Sequence, residues 1–197
     1  MIDLFDDRPW PFGELERGAY SLVMIDPAWK FKTFSEKGLG KSADRHYRTM
    51  RIEDIKALPV RDLAAKDCLV WLWATAPMLN QQMDVLAAWG AKYVSSGVWI
   101  KTMEKSGKLS FGGGYSFRNA HEVIILGKYG SPKIASRSVR SVISAPRREH
   151  SRKPEEAYEA ARKLIPYGRA ADVFSRMTRP GWEASGDEVG KFDEVAA

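Results

Sequence analysis

Tyr20-Ser21-Leu22-Val23-Met24-Ile25 is a short apolar run that stops abruptly at Asp26-Pro27. A run this brief reads as a buried strand, and a proline without a backbone donor closes it. Further runs of this kind follow at Cys68 to Trp73, Tyr93 to Ile100, Glu122 to Leu126, Val139 to Ile143 and Ala170 to Phe174. Helical patterns lie between them. Ile52, Ile55 and Leu58 recur at helical spacing until Pro59, and Pro77 opens a helix that ends at Trp89-Gly90. Pro154 starts another, running to about Ile165, with Glu155 and Glu156 in its first turn, where carboxylates suit the helix dipole. Buried strands alternating with helices predict a mostly parallel α/β sheet with ligands at the carboxyl ends of its strands. Asp26-Pro27 and Ser175-Arg176 both fall at such ends.

The residues that close the first strand, Asp26-Pro27-Ala28-Trp29, form a compact site for a flat ring bearing an amino group. A carboxylate accepts a hydrogen bond from an exocyclic NH2 group. The extended geometry forced on the residue before proline can leave a backbone carbonyl free for the second N–H. Trp29 offers a face on which a base can stack. The same four residues also suit an ordinary turn, so the rest of the chain decides between the two.

With 197 residues, 44% hydrophobic and 28% charged, the composition is that of one globular domain, 1–197, whose end from Asp187 is expected to be partly helical and frayed. The single cysteine, Cys68, lies within an apolar run and reads as a small core residue. An acidic amino terminus lacks a signal-peptide core, and no apolar stretch is long enough to span a bilayer, so a cytoplasmic protein without membrane contact is expected. The formal charge of +6 is concentrated in two segments. One carries Lys30, Lys32, Lys37, Lys41, Arg45, Arg48 and Arg51; the other carries Lys133, Arg137, Arg140, Arg147, Arg148, Arg152 and Lys153. Two basic segments in loops suit a polyanion, nucleic acid above all, although solvated surfaces have the same composition.

Other chemistries fit poorly. Gly38-Leu39-Gly40-Lys41-Ser42 ends like a phosphate-binding loop, but Ser35 stands where the first glycine belongs. His121-Glu122 lacks the second histidine of a zinc-binding helix, since position 125 is isoleucine, and scattered His46, His121 and His150 make no metal set. The glycine-rich segment Gly107 to Gly114 leads into a strand and is no dinucleotide fingerprint.

Asp26-Pro27-Ala28-Trp29 resembles the D-P-P-W signature of the N6-adenine methyltransferases, the family of the catalytic subunit of the mRNA N6-adenosine methyltransferase and its bacterial and phage relatives. The resemblance extends from about Leu22 to Glu188. It is carried in order by His46-Tyr47-x-Thr49-Met50, Leu69 to Trp73, Trp89-Gly90 and Val98-Trp99-Ile100-Lys101. Arg118 to Glu122, Ser151-Arg152-Lys153-Pro154-Glu155-Glu156, Val173 to Arg176, Gly181-Trp182 and Gly186-Asp187-Glu188 complete it.

This resemblance implies a Rossmann-like fold in circularly permuted order, with the catalytic strand first and the cofactor strand last, and S-adenosylmethionine as cofactor. It places catalysis at Asp26, Pro27, Ala28 and Trp29, where Asp26 and the Pro27 carbonyl would accept the two N6 hydrogens. Lys153 would hold the methionine carboxylate of the cofactor, Asp187 and Glu188 the ribose, and Phe174 and Arg176 the wall beside it. His46, Tyr47, Lys101 and Glu122 match the substrate side. Ala28 departs from the usual second proline, and Asp187-Glu188 from the usual amide-containing pair. The expected substrate is adenine in nucleic acid, DNA ahead of RNA and single strand ahead of duplex, with a homodimer or partner subunit supplying any sequence specificity. Cytosine N4 methylation and a non-catalytic nucleic-acid-binding homologue are the alternatives.

Overall fold

A computed structural model describes residues 9–30, 49–114, 116–149 and 152–193. The chain runs β1 (Tyr20–Ile25), α1 (Ile52–Lys56), α2 (Val60–Leu63), β2 (Ala64–Ala74), α3 (Leu79–Ala88), β3 (Lys92–Thr102), β4 (His121–Tyr129), β5 (Val142–Pro146), α4 (Glu155–Leu164), β6 (Arg169–Val173) and β7 (Glu183–Ser185). Pro77 lies in a 3-10 turn, Ala76–Met78, that leads into α3.

The strands form one seven-stranded sheet in the order β5-β3-β4-β2-β1-β6-β7. β1 pairs in parallel with β2 and β6, β3 with β5, and β6 with β7. Only β4 runs against its neighbours β2 and β3. The expectation of a mostly parallel α/β sheet therefore holds. Because β4 is reversed, its first residues lie at the edge where the other strands end. That edge carries every candidate site residue among those described.

Alternate residues of the central strands feed two cores, as a sheet covered on both faces requires. Val23, Ile25, Val70 and Leu72 pack toward Ile55, Val60, Leu63, Val85 and Leu86 of α1 to α3. Leu22, Met24, Leu69, Trp71 and Trp73 pack toward Ala157, Tyr158, Ala160 and Ala161 of α4. Gly127 in β4 permits close approach of α3, since a Cβ there would come within 2.8 Å of Leu86. Cys68 is buried in the first of these cores, as expected.

Two expectations shift. The strand anticipated over Val139 to Ile143 lies at Val142–Pro146, because its partner is the carboxyl half of β3, from Val98↔Val142 to Thr102↔Pro146. Over residues 187–193 the chain is turn structure tied to the body, where a partly helical segment was expected: Phe192 N donates to Arg176 O at 3.2 Å and Thr178 Oγ1 to Asp193 at 2.7 Å. No helix among the described residues is long and apolar enough to cross a membrane.

Candidate active site

β1 leaves the middle of the sheet toward β2, whereas β6 arrives on its other side. Such a reversal of strand order opens a crevice at the strand ends. A cleft of about 570 Å³ lies here, within the usual size range of small-ligand sites. Asp26 and Ala28 line it after β1, Thr49, Met50, Arg51 and Asp54 at the start of α1, Phe174 to Arg176 after β6, and Asp187 and Glu188 after β7.

Asp26 begins a chain of alternating charges. Lys153 Nζ, at the start of α4, lies 2.8 Å from Asp26 Oδ2 and 2.9 Å from Glu122 Oε2. Lys101 Nζ, at the end of β3, lies 2.5 Å from Glu122 Oε1. Lys153 is 8% exposed, and the face of Trp73 lies 5.1 Å from its ammonium, which favours a cation there. Burial pushes the Asp26 carboxyl up and Glu122 adds to this, while Lys153 opposes both. Burial also raises Glu122, but Lys153 and Lys101 more than offset it and hold that carboxyl at about 2. Burial opposes the ammonium of Lys153, yet the Asp26 and Glu122 carboxylates prevail and hold its pKa above the ordinary lysine value. Glu122 is thus the firmly ionised acid and Asp26 the one closer to protonation.

The loop after β1 differs in two respects from its sequence reading. The Pro27 carbonyl already accepts the Trp29 N–H at 2.8 Å, the i to i+2 contact of a γ-turn, so only its second lone pair remains for a ligand. Trp29 is 4% exposed, packed in the core, with its indole N–H donated to Trp73 O at 3.1 Å. It therefore supports the loop from behind and presents no face for stacking. An indole in this position gains more from burial and a paired N–H than from exposure. Ala28 O accepts Met50 N at 2.8 Å, which fastens the loop to the start of α1.

On the other wall, Phe174 has φ 62, a left-handed conformation that costs about 1–3 kcal/mol for such a residue. Gly186 makes the turn possible, since a Cβ there would sit 2.6 Å from the Ser175 carbonyl. Arg176 pairs with Glu188 at 2.7 Å and Lys191 also pairs with Glu188, while Asp187 is exposed at the rim. Phe174, Arg176, Asp187 and Glu188 thus share one wall of the cleft, with Glu188 already engaged by two cations, while Lys153 lines the smaller adjoining pocket with Asp26, Phe174 and Arg176. His46 and Tyr47 lie outside the described residues.

One group escaped the sequence reading. Asp172, the penultimate residue of β6, is 3% exposed and accepts from Tyr158 Oη at 3.0 Å, Ser175 Oγ at 2.7 Å and Arg179 Nη1 at 3.3 Å. Burial drives its carboxyl up to about 6 against those three donors. It locks α4 and the β6 turn together beneath the cleft. An acid inside an otherwise apolar strand was the available signal.

An open α/β sheet with a ligand cleft at the reversal of strand order and a buried acid–lysine chain beside it defines a Rossmann-like ligand-binding domain. The MT-A70 family model matches residues 20–188, and the chain belongs to that family. It is 29% identical over 175 residues to an N(6)-adenosine-methyltransferase MT-A70-like protein of Arabidopsis thaliana, covering 87% of this chain and 24% of that one. To the Type II methyltransferase M.MunI of Mycoplasma sp it is 25% identical over 196 residues, covering 90% and 81%. To the N(6)-adenine-specific methyltransferase METTL4 of Mus musculus it is 26% identical over 194 residues, covering 89% and 39%. No group of residues suited to a metal ion occurs among those described.

Proposed function

We propose that this protein transfers a methyl group from S-adenosylmethionine to the exocyclic N6 of adenine in nucleic acid. The observation that carries the reading is Asp26, a carboxylate fixed by Lys153 at the cleft where the ends of β1, β6 and β7 meet. The names of the relatives support the reaction class and the adenine target. DNA is proposed ahead of RNA because the relative of which the chain spans 81% is named a Type II methyltransferase, whereas it spans only 24% of the Arabidopsis protein named for adenosine.

The cleft fits the cofactor in size and in donors and acceptors. Asp187 and Glu188 would accept the ribose hydroxyls, Phe174 and Arg176 would form the adjoining wall, and Lys153 keeps a third N–H for the methionine carboxylate. When bound, the cofactor supplies a methyl carbon already activated for displacement. Asp26 accepts one N6 hydrogen and the remaining lone pair of the Pro27 carbonyl the other, which orients the nitrogen and stabilises the positive charge it develops. The raised pKa of Asp26 suits it to receive the proton that N6 then releases. Glu122 and Lys101 hold Lys153, and through it Asp26, in place.

Labelled methyl transfer to DNA and RNA, each single-stranded and duplex, followed by nucleoside identification, tests the reading. N6-methyladenine is expected, formed faster on single strands because a paired base must first be extracted at a cost of a few kcal/mol. N4-methylcytosine, or cofactor binding without transfer, would overturn it.

A further inference from the structure

With Trp29 in the core, the surface aromatics must be sought elsewhere. Phe111 and Phe117 are 77% and 85% exposed, on the connection 103–120 between β3 and β4. This connection starts at the carboxyl end of β3, beside Lys101, and finishes two residues before Glu122, so it rises from the same edge as the candidate active site. We propose that it is a nucleic-acid clamp in which Phe111 and Phe117 stack on unpaired bases flanking the target, while Lys105, Lys108 and Arg118 meet their phosphates. The choice of occupant rests on the reading of nucleic acid as substrate.

The loop that carries the two rings is tied together by its own backbone. Met103 N donates to Lys108 O at 2.8 Å, Ser110 N to Lys101 O at 2.7 Å and Asn119 N to Gly113 O at 3.0 Å. A Cβ at Gly112 would lie 2.1 Å from the Asn119 carbonyl, and one at Gly114 1.9 Å from that of Phe117. Those glycines let the two limbs of the loop close on each other, and Ser110 is buried. Arg118 already lies 5.5 Å from the centre of the Phe111 ring, a cation on an aromatic face that a base can extend. The loop's charges are Lys105, Lys108 and Arg118 against Glu104 alone. Exposed rings among cations match a single strand, whose bases offer apolar faces and whose backbone offers negative charge.

Fluorescence anisotropy with a labelled mixed-sequence single-stranded oligonucleotide tests this on the full chain. Phe111→Ala and Phe117→Ala should each weaken binding by roughly 10-fold, with Phe→Trp restoring it and Phe→Leu not, since the π-face is what is required. Arg118→Ala should lower the slope of log affinity against log salt by about 0.7. Calorimetry with S-adenosylmethionine should give unchanged affinity in every variant, which also verifies folding. Unchanged oligonucleotide affinity in the alanine variants, or full binding by Phe→Leu, would overturn the proposal. So would alanine variants that change oligomeric state by light scattering while keeping oligonucleotide affinity, because the rings would then serve a second copy. If the wild-type protein transfers no methyl group yet the ring variants lose oligonucleotide affinity, the enzymatic reading falls and the clamp stands.

Discussion

Replacing Lys153 with methionine removes the one cation that separates two buried carboxylates. The side chain keeps its apolar volume over Trp73, so the loss is electrostatic. Glu122 retains Lys101 at 2.5 Å, but Asp26 has no partner at the 2.8 Å now filled by Lys153. Removing one member of a buried ion pair costs about 3–5 kcal/mol, and the three side chains are between 8% and 22% exposed, so little of this is screened. At about 2–4 °C per kcal/mol for a chain of this length, Tm should fall by roughly 6–20 °C. The deficit should depend on pH. Burial and Glu122 already raise Asp26, and losing the ammonium raises it further. An acid whose pKa is raised on folding binds more protons folded than unfolded, so its contribution to stability falls as pH rises through that interval. The variant should therefore lie closer to wild type at pH 5 than at pH 8. Urea unfolding at both pH values, with the Lys153→Met/Asp26→Asn double variant alongside, measures this, and the double variant should recover more than 1 kcal/mol. A deficit below 1 kcal/mol that is equal at both pH values would refute the argument and make Lys153 a solvated surface residue.

Asp26→Asn should lower methyl transfer by about 10²–10³-fold while cofactor affinity, read by calorimetry, stays within a few fold of wild type. Trp29→Phe should cost about 1–3 kcal/mol by leaving the Trp73 carbonyl without its donor, yet leave oligonucleotide affinity unchanged in anisotropy; a loss of that affinity would return Trp29 to the binding surface. Gly186→Ala should destabilise by about 1–3 kcal/mol in thermal melts and weaken cofactor binding in calorimetry, because its Cβ would meet the Ser175 carbonyl at 2.6 Å. Between pH 4.5 and pH 2 the wild-type protein should lose stability in acid titration, since Glu122 is held at about 2 when folded and must be protonated as the pH falls through that range.

The strands were legible because both faces of the sheet are covered, which makes β1 and β2 continuous apolar runs. Direction was not legible. An apolar alternation reads the same in either sense, and the reversal of β4 is visible only in its pairing with β2 and β3. β7 escaped because three half-buried residues carry no pattern, and β5 was displaced because its extent is set by pairing with the carboxyl half of β3, from Val98↔Val142 to Thr102↔Pro146. Asp26 was evident from its place after β1, whereas the chain through Lys153 and Glu122 joins three elements distant in sequence. Neither the bond on the Pro27 carbonyl nor the burial of Trp29 follows from residue type, because each depends on where the backbone turns after β1.

β3 and β4 are sequential neighbours joined as a long hairpin, unlike the parallel pairs, whose connections must cross a face of the sheet. Residues can be added to or removed from a hairpin tip without re-threading a helix, and each doubling of a flexible loop's length costs only about 0.6 kcal/mol. With the clamp role proposed for it, grafting a different 103–120 segment between Thr102 and His121 would alter substrate choice while leaving the β1, β6 and β7 side of the cleft untouched.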